Sequence, residues 1–367
     1  MSALVLHVLP LDLPRGAQRY AKAMRDALDG PTFRHRTLTL FASSFRALDA
    51  DIKLDVERSR FARLGLEPRV LLALRAALQR EAPSVVVAHG SEPLKYLFPL
   101  VPAQLPLVYY KIGVANAKAL RGFSNKLHTT LLRRPERVAG VSHECLDEAA
   151  SAFGVPRAKL VLIPNGRDPE TFRPAAAPDS EAIPRLTFLG HFAPTKRPGW
   201  FIEVVAKLRA SGARFTAAMI GDGPLLTELE RAARDADVEL LGHRDDVPEL
   251  LRQSSVLAFT SVPSGEGMPG VFIEAGLCGV PVVSTEVPGA RTVIVDGQSG
   301  HVVPHDDIET FTAHVRSLLV DREQRLAMGR AARDHCLAEF TLQRSAELWR
   351  QLLVELAPHG QRAEERA

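Results

Sequence analysis

The sequence of 367 residues has no long hydrophobic run and few cysteines. No stretch approaches the roughly 18 unbroken apolar residues that a membrane-spanning helix needs. The three cysteines are odd in number and far apart, without a C-x-x-C pair, which disfavours both a disulfide framework and a zinc site. The first residues also lack the basic segment of a signal peptide. These absences predict a cytoplasmic protein in a reducing compartment.

The charges nearly balance over the whole chain but are divided unevenly between its halves. Residues 1–172 hold 25 of the 46 Lys and Arg side chains and only 16 of the 43 Asp and Glu side chains, so the N-terminal half is basic. Its stretch from Arg58 to Arg80 has amphipathic spacing, which is typical of a solvated helix face, with an anionic lipid or an acidic acceptor as the alternative. Aromatic residues make up only 6% of the chain and do not interleave with this stretch, which argues against nucleic acid as a partner.

The hydrophobic content and the spacing of apolar runs predict two α/β domains. Hydrophobic residues make up 46% of the chain, enough for a sizeable core, and the length favours two domains. Strand-length apolar runs alternate with helix-length segments in both halves, which indicates parallel sheets. We predict two Rossmann-like, doubly wound domains that face a cleft. Their bounds are 1–172 and 185–340, with a linker over 173–184 and a frayed tail over 357–367.

The most informative segment is SVPSGEGMPGVFIEAGLCG, residues 261–279. Its glycines allow close backbone approach, and a helix beginning near Gly270 would turn its first N–H groups toward the cleft, a geometry that binds phosphate. Glu266 and Glu274 flank this helix start, and carboxylates are good acceptors for sugar hydroxyls. Together these features suggest a ligand that has both a diphosphate and hydroxyl-rich rings.

Two other interpretations of nearby patterns are weaker. The same segment satisfies the G-x-G-x-x-G pattern of dinucleotide-binding proteins, with Glu286 after the next strand. Glu266 would then lie beside a pyrophosphate, Pro269 would crowd the turn, and the spacing to Glu286 is short of the expected 20 or so residues. Asp235-Ala236-Asp237 could pass for a metal-binding D-x-D, but it lies just before a strand. We predict that the triplet ends a helix and that the protein holds no metal.

Several segments in this region carry a family resemblance. The E-x7-E pair continues into EAGLCGVPVVST and is preceded by IPNGRDPETFRP, FLGHFAPTKRP and LGHRDDVPELL. In this order, over residues 138–304, they resemble the landmarks of retaining glycosyltransferase family 4, which has the GT-B fold. The resemblance implies sugar transfer from a nucleoside diphosphate donor to a hydroxyl acceptor with retention of configuration and no cofactor. It also implies an acceptor-binding N-terminal domain, to which a helix over residues 341–356 returns.

The same resemblance assigns roles to individual residues. Glu266 faces the donor sugar, Glu274 accepts the ribose hydroxyls, and Lys196 stabilises the charge on the leaving diphosphate. The family usually has arginine where this chain has His191, so either Arg197 substitutes or phosphate binding is weaker. The full set of residues expected at the donor, besides these, is Gly16, Gly242, His243, Gly267, Met268, Pro269 and Gly270.

The N-terminal third resembles the family only loosely. His89 follows the buried strand VVVA and is predicted to face the cleft, either as a hydrogen-bonded structural histidine or as a catalytic residue that contacts the acceptor or donor sugar. The family's usual histidine comes after a later strand, where this chain has Lys111. Gly16, with Arg15 and Gln18, resembles the family's glycine-rich loop near the acceptor and the diphosphate. Two alternatives stay open: another GT-B enzyme such as a phosphorylase, and a nucleotide-sugar-binding partner without catalysis.

Overall fold

The structure is a computed structural model, and it describes residues 2–12, 16–44, 49–59, 66–115, 120–175, 183–264 and 266–356. Backbone contacts divide the chain into two units. Unit 1 comprises Met1–Gly166 and Leu342–Ala367, and unit 2 comprises Arg167–Thr341. Each unit contains its own parallel sheet, as the alternating apolar runs predict. Within the described ranges, no helix is both long and apolar enough to cross a bilayer.

Unit 1 is built on seven parallel strands. These are β1 (Ala3–Leu9), β2 (Phe33–Phe41), β3 (Ile52–Val56), β4 (Val85–His89), β5 (Leu107–Lys111), β6 (Arg137–Gly140) and β7 (Leu160–Leu162). Their spatial order is β3-β2-β1-β4-β5-β6-β7, so the succession of strands reverses direction between β1 and β4. Doubly wound sheets bind ligands at the carboxyl ends of the strands beside such a reversal.

The first five helices of unit 1 pack on this sheet. They are α1 (Gly16–Leu28), α2 (Pro68–Glu81), α3 (Ser91–Leu97), α4 (Gly122–Arg133) and α5 (His143–Ser151). Helix α2 begins with a proline at its first position, where no N–H is needed. It places Val70 and Leu74 in a core cluster with Leu6 and Val8 of β1.

Unit 2 is built on six parallel strands in the order β10-β9-β8-β11-β12-β13. They are β8 (Arg185–Leu189), β9 (Thr216–Ile220), β10 (Glu239–Gly242), β11 (Val256–Phe259), β12 (Val282–Thr285) and β13 (Gly300–Val303). The helices are α6 (Pro198–Ala210), α7 (Leu226–Asp235), α8 (Val247–Arg252), α9 (Gly270–Leu277), α10 (Ala290–Val293), α11 (Ile308–Val320) and α12 (Arg322–Glu339). The succession reverses between β8 and β11, which places the loops after these two strands at the ligand-binding position of the sheet.

The last helix, α13 (Leu342–Leu356), belongs to unit 1. Its Trp349 donates from Nε1 to the hydroxyl of Tyr20 in α1 (3.2 Å), and that hydroxyl also bonds Ser345 (2.5 Å). Ser345 Oγ in turn donates to the carbonyl oxygen of Pro164 (2.8 Å). The helix predicted over residues 341–356 therefore packs on the N-terminal part of the chain within unit 1.

The boundary between the units differs from the predicted linker over 173–184, of which residues 176–182 lie outside the described ranges, as does the predicted tail. Unit 2 begins at Arg167 because Arg167 N donates to the carbonyl oxygen of Phe340 (2.9 Å), which ties the segment before residue 173 to the end of α12. Strand β2 has no continuous apolar run, because Arg34 and Arg36 interrupt its sequence.

Candidate functional site

Two loops of unit 2, one after β8 and one after β11, are bonded to each other. The first ends in a turn that contains Lys196, and the second runs from Thr260 into α9. Thr260 Oγ1 donates to the carbonyl oxygens of Lys196 (2.9 Å) and Arg197 (3.0 Å). The backbone N–H of Val262 donates to the carbonyl oxygen of Thr195 (2.8 Å). Lys196 and the glutamate-bearing loop therefore belong to one site.

Lys196 and Glu266 form an ion pair within this site. Nζ of Lys196 donates to Oε1 of Glu266, and the side chains are only 25% and 12% exposed. Each charge offsets the other when no ligand is present. An anionic ligand that takes Lys196 would leave Glu266 to accept a hydrogen bond from a neighbouring hydroxyl. Gly265, just before Glu266, lies outside the described residues.

Glu274, one turn into α9, is held by an arginine that sequence reasoning missed. Nε of Arg167 donates to Oε1 of Glu274 at 2.7 Å, and the side chains are 18% and 17% exposed. The guanidinium lies across Gly270, where an added Cβ would be 2.0 Å from one of its nitrogens. Glycine at the start of α9 is therefore needed for this pair. The sequence signal for Arg167 was its place directly after the Asn165-Gly166 turn in IPNGRDPETFRP, one of the segments that carry the family resemblance.

Helix α9 begins at Gly270, as the sequence predicts. Pro269 precedes the helix and supplies no side-chain cap, so the positive end of the helix dipole is not neutralised there. Gly267 and Met268 form the approach to it. Gly289, in left-handed conformation with φ 80°, packs behind this segment, where an added Cβ would lie 2.6 Å from the carbonyl oxygen of Gly267. The loop is thus supported by a close backbone contact that was not anticipated.

His191 and Arg197, the two residues considered for the phosphate, have different surroundings. His191 follows β8 and is 59% exposed. Arg197 donates from Nε to the carbonyl oxygen of Thr260 (2.8 Å) and from Nη2 to that of His305 (2.5 Å), and its guanidinium stacks on Trp200, 4.2 Å from the ring centroid. The geometry thus disfavours the alternative in which Arg197 substitutes for the family's arginine, because its Nε and Nη2 already bond backbone carbonyls and its Nη1 lies 3.5 Å from Asp306.

Gly242 and His243 lie at the carboxyl edge of the same sheet, where the carbonyl oxygen of Gly242 accepts from the N–H of Gly221 (2.8 Å). Their role at the donor stays a prediction. Gly242 ends β10, an edge strand two places away from β8, and its φ of 66° is left-handed. His243 follows it and is 65% exposed. The triplet Asp235-Ala236-Asp237 closes α7, and Asp237 is left-handed with φ 53°, as expected for a segment that ends a helix.

In unit 1, Lys111 is buried and bonded to other residues of the same unit. It ends β5, is 3% exposed, and donates from Nζ to Glu148 Oε2 (2.6 Å) and to the carbonyl oxygen of Gly113 (2.9 Å). Its charge is compensated by a buried carboxylate, which disfavours the idea that it replaces the family's histidine. Gly16 begins α1, whereas Arg15 lies outside the described residues.

His89 ends β4, as predicted, but its side chain is 3% exposed and belongs to a buried group. Its Nε2 lies 2.9 Å from Nδ1 of His7, and Nε2 of His7 lies 3.0 Å from Nδ1 of His35. Burial lowers the pKa of His89 to about 3 and that of His35 to about 4. Burial and the neighbouring histidines also hold the pKa of His7 well below its usual value. All three rings are therefore neutral at pH 7. Sequence reasoning missed His7 because it is a single polar residue within an apolar strand, and His35 because it lies between Arg34 and Arg36 in a strand without a continuous apolar run.

The basic stretch of the N-terminal half lies partly on α2, as its spacing predicts, with residues 60–65 outside the described ranges. The apolar face of α2 is buried, and two of the arginines are paired: Arg58 with Glu92 (2.7 Å) and Arg80 with Glu81 (2.9 Å). These pairs fit a solvated face. Binding to an anionic lipid or an acidic acceptor stays a prediction.

The two halves of the chain match two family models. The model described as Glycosyltransferase Family 4 matches residues 14–171, and the model described as Glycosyl transferases group 1 matches residues 183–321.

Curated relatives and solved structures point the same way. The GDP-mannose-dependent alpha-(1-6)-phosphatidylinositol monomannoside mannosyltransferase of Mycolicibacterium smegmatis is 32% identical over 233 residues, 57% of this chain and 60% of the relative. The D-inositol 3-phosphate glycosyltransferase of Kribbella flavida is 28% identical over 54% of this chain and 52% of the relative. The chain thus spans about 60% or less of the length of these relatives. Anabaena Alr3699/HepE, solved in complex with UDP and glucose, superposes with a TM-score of 0.80 at 18% identity, over 96% of this chain and 100% of that one. This likeness shows the GT-B fold.

Proposed function

Because the chain belongs to glycosyltransferase family 4, we propose that it transfers a sugar from a nucleoside diphosphate donor to a hydroxyl acceptor, with retention of configuration and without a metal ion. The observation that carries the proposal is the Lys196–Glu266 ion pair in the loops beside the uncapped start of α9. The names of the relatives, which include GDP-mannose, and the UDP and glucose in the HepE structure fit this class of donor.

The site has the charges that a nucleoside diphosphate needs. The diphosphate lies at the start of α9, where backbone N–H groups and the helix dipole favour an anion. Lys196 exchanges its bond to Glu266 for bonds to phosphate oxygens. Oε1 of Glu274 accepts a hydrogen bond from Arg167, and its second carboxylate oxygen accepts from the ribose hydroxyls. Nucleoside, phosphate and sugar thus each meet a different group of unit 2.

The reaction follows from where charge develops. As the bond between the anomeric carbon and the diphosphate breaks, negative charge grows on the leaving oxygen, and Lys196 and the start of α9 stabilise it. The departing phosphate oxygen accepts the proton of the attacking hydroxyl on the same face of the sugar, so that configuration is retained without an enzymic nucleophile. Glu266, released from Lys196, accepts a hydrogen bond from a donor-sugar hydroxyl and orients the ring.

The proposal is tested by a thermal-shift screen of the purified chain against nucleotide-sugars, including GDP-mannose and UDP-glucose, followed by transfer assays with and without EDTA. A donor at 100 times its Kd should add about 2.7 kcal/mol of stability. Transfer that EDTA abolishes and Mg²⁺ or Mn²⁺ restores would contradict metal independence, and an inverted product would contradict retention. Donor binding without transfer or hydrolysis would indicate a binding partner, and sugar transfer to free phosphate would indicate a phosphorylase.

Glu266→Gln and Glu274→Gln should have different effects on nucleotide binding and sugar transfer. Glu274→Gln turns an acceptor oxygen at the ribose into a donor amide, so the bare nucleoside diphosphate should bind roughly 10- to 100-fold less well, the worth of a charged hydrogen bond. Glu266→Gln should leave nucleoside diphosphate affinity nearly unchanged and lower sugar transfer. Calorimetry with the nucleoside diphosphate and with the intact donor measures both effects. Equal losses for the bare nucleotide in the two variants would contradict these roles.

Replacement of Arg167 should weaken every ligand that contains the nucleoside. Arg167→Met removes the bond that fixes Glu274, so affinity should fall about 10-fold, and by the same factor for nucleoside, nucleoside monophosphate and nucleoside diphosphate. The matched control is Arg185→Met, which breaks another Arg–Glu pair of unit 2 (2.8 Å, with Glu239) at the opposite end of the sheet. A loss that grows with the number of phosphates would instead make Arg167 a phosphate ligand.

A further inference from the structure

Three histidines on neighbouring strands of unit 1 are joined ring to ring. His7 of β1 pairs across the sheet with Thr37 of β2 and Val87 of β4. His35 lies two residues before Thr37, and His89 lies two residues after Val87, so all three side chains are on the same face of the sheet. The row of rings therefore runs diagonally from near the start of β2 to the carboxyl end of β4.

The two ring-to-ring contacts couple the positions of the hydrogens. A neutral imidazole has one N–H donor and one bare acceptor nitrogen. If His7 carries its hydrogen on Nδ1, it donates to Nε2 of His89, whose own hydrogen must then be on Nδ1. Nε2 of His7 must then accept from Nδ1 of His35. If the hydrogen of His7 is on Nε2, every ring switches, so only two arrangements make both bonds.

At each end of this row is a buried ring nitrogen that has no hydrogen-bond partner among the described residues. Nδ1 of His89 and Nε2 of His35 make no hydrogen bond to any described residue. A buried polar atom without a hydrogen-bond partner destabilises the folded protein, so an occupant is expected at each end. The coupling makes the two ends opposite in character, since one donates whenever the other accepts. The His89 end lies beside the strand reversal between β1 and β4, where a doubly wound sheet binds its ligand.

We propose that His7, His35 and His89 form one tautomer-coupled relay, in which His7 and His35 are positioning residues and Nδ1 of His89 binds a hydroxyl group of the acceptor. A hydroxyl both donates and accepts, so it matches Nδ1 in either arrangement. A carboxylate or phosphate oxygen would match only one arrangement, and an ammonium group only the other. Water has the same hydrogen-bonding chemistry as the hydroxyl and is the alternative occupant. The inference depends on the proposed function only in taking the hydroxyl from the acceptor.

The coupling is tested by ¹⁵N NMR of the full chain labelled at histidine, because the shift of each ring nitrogen shows whether it carries a hydrogen. At pH 7.5 the three rings should be neutral and should carry their hydrogens on the same-named nitrogen. His35→Phe should then change the tautomer population of His89, which residue 35 does not touch. Phe33→Leu, which alters a ring packed 6.4 Å from His35, should not. The relay would be overturned if the three rings of the native chain carried their hydrogens on differently named nitrogens. It would also be overturned if the tautomer population of His89 were the same in His35→Phe as in the native chain. The native spectrum decides even if the variant fails to fold.

The occupant is tested by titration of the same labelled protein with glycerol, myo-inositol and methyl mannoside as probes. A saturable shift of Nδ1 of His89 by one of these polyols is expected. The Kd of that polyol, measured by calorimetry for the native chain and for His89→Phe, should be roughly 2- to 10-fold higher in the variant, the worth of one neutral hydrogen bond. If none of the three shifts that nitrogen, water alone fills the position and the ligand part of the inference is overturned. Donor binding is measured separately through unit 2, so its failure would count against the proposed function and not against the relay.

Discussion

Lys196→Ala should lower turnover about 10²-fold or more while donor affinity falls much less. The ammonium meets its largest opposing charge as the sugar–phosphate bond breaks, so its removal costs more in the transition state than in the bound donor. The measurement is kcat from initial rates at saturating donor, together with the donor Kd by calorimetry. A loss confined to Kd would mean that Lys196 binds ground state and transition state equally.

The control for this variant comes from the same unit. Lys207→Ala removes another lysine that is bonded to a glutamate, Glu309, at 2.6 Å, but on α6 and outside the two loops of the site. It should leave turnover unchanged. Because Lys196→Ala also leaves Glu266 unpaired, Lys196→Ala/Glu266→Gln should be compared with both single variants. Full activity in the double variant would show that the lost turnover came from the orphaned carboxylate.

Much of unit 2 could be predicted because its local signals agree with its tertiary structure. Helix α9 begins at the predicted Gly270, and α6 (Pro198–Ala210) begins with a proline, which favours a helix start. The strands beside the reversal are short apolar runs, the sequence pattern that is typical of a strand buried on both faces of a sheet. The position of the loops after β8 and β11 therefore followed from sequence alone.

The pairings inside the site could not be predicted in the same way. Lys196 meets Glu266, and Arg167 meets Glu274, across 70 and 107 residues of sequence. Nothing in a local window says which cation will meet which carboxylate, because that depends on the order of strands in the sheet. The same holds for the histidine relay, which needs β2, β1 and β4 to be neighbours although they are not consecutive in the chain. His89 was placed correctly at the end of its strand, yet its partners became visible only with the topology.

The relay should make unit 1 sensitive to acid. His7, His35 and His89 have pKa values lowered by burial, so they are neutral in the folded state and bind protons when the chain unfolds below about pH 6.5. Arg25, near His7, and Arg350, near His35, add to the lowering, whereas Asp29 opposes it at His35. Stability is therefore complete above about pH 6.5 and is lost as the pH falls toward the folded pKa values. For His35 and His89, with folded pKa values of about 4 and about 3, the loss between pH 6.5 and 5 is roughly 2 kcal/mol each.

Because these three histidines lie in one unit, the free energy of unfolding of unit 1 should fall steeply as the pH drops from 6.5 toward 5. The two tryptophans of the sequence allow this to be measured, because Trp349 lies in unit 1, 6.4 Å from the ring of His7, and Trp200 lies in unit 2. In a Trp200→Phe background, urea unfolding followed by Trp349 fluorescence at several pH values gives the slope of unfolding free energy against pH. His35→Phe should reduce that slope between pH 5 and 6 by about 1.4 kcal/mol per pH unit, the contribution of one proton, whereas Phe33→Leu should lower stability and leave the slope unchanged. A slope that His35→Phe does not alter would mean that this imidazole is already protonated in the folded protein, which would contradict the buried, neutral relay.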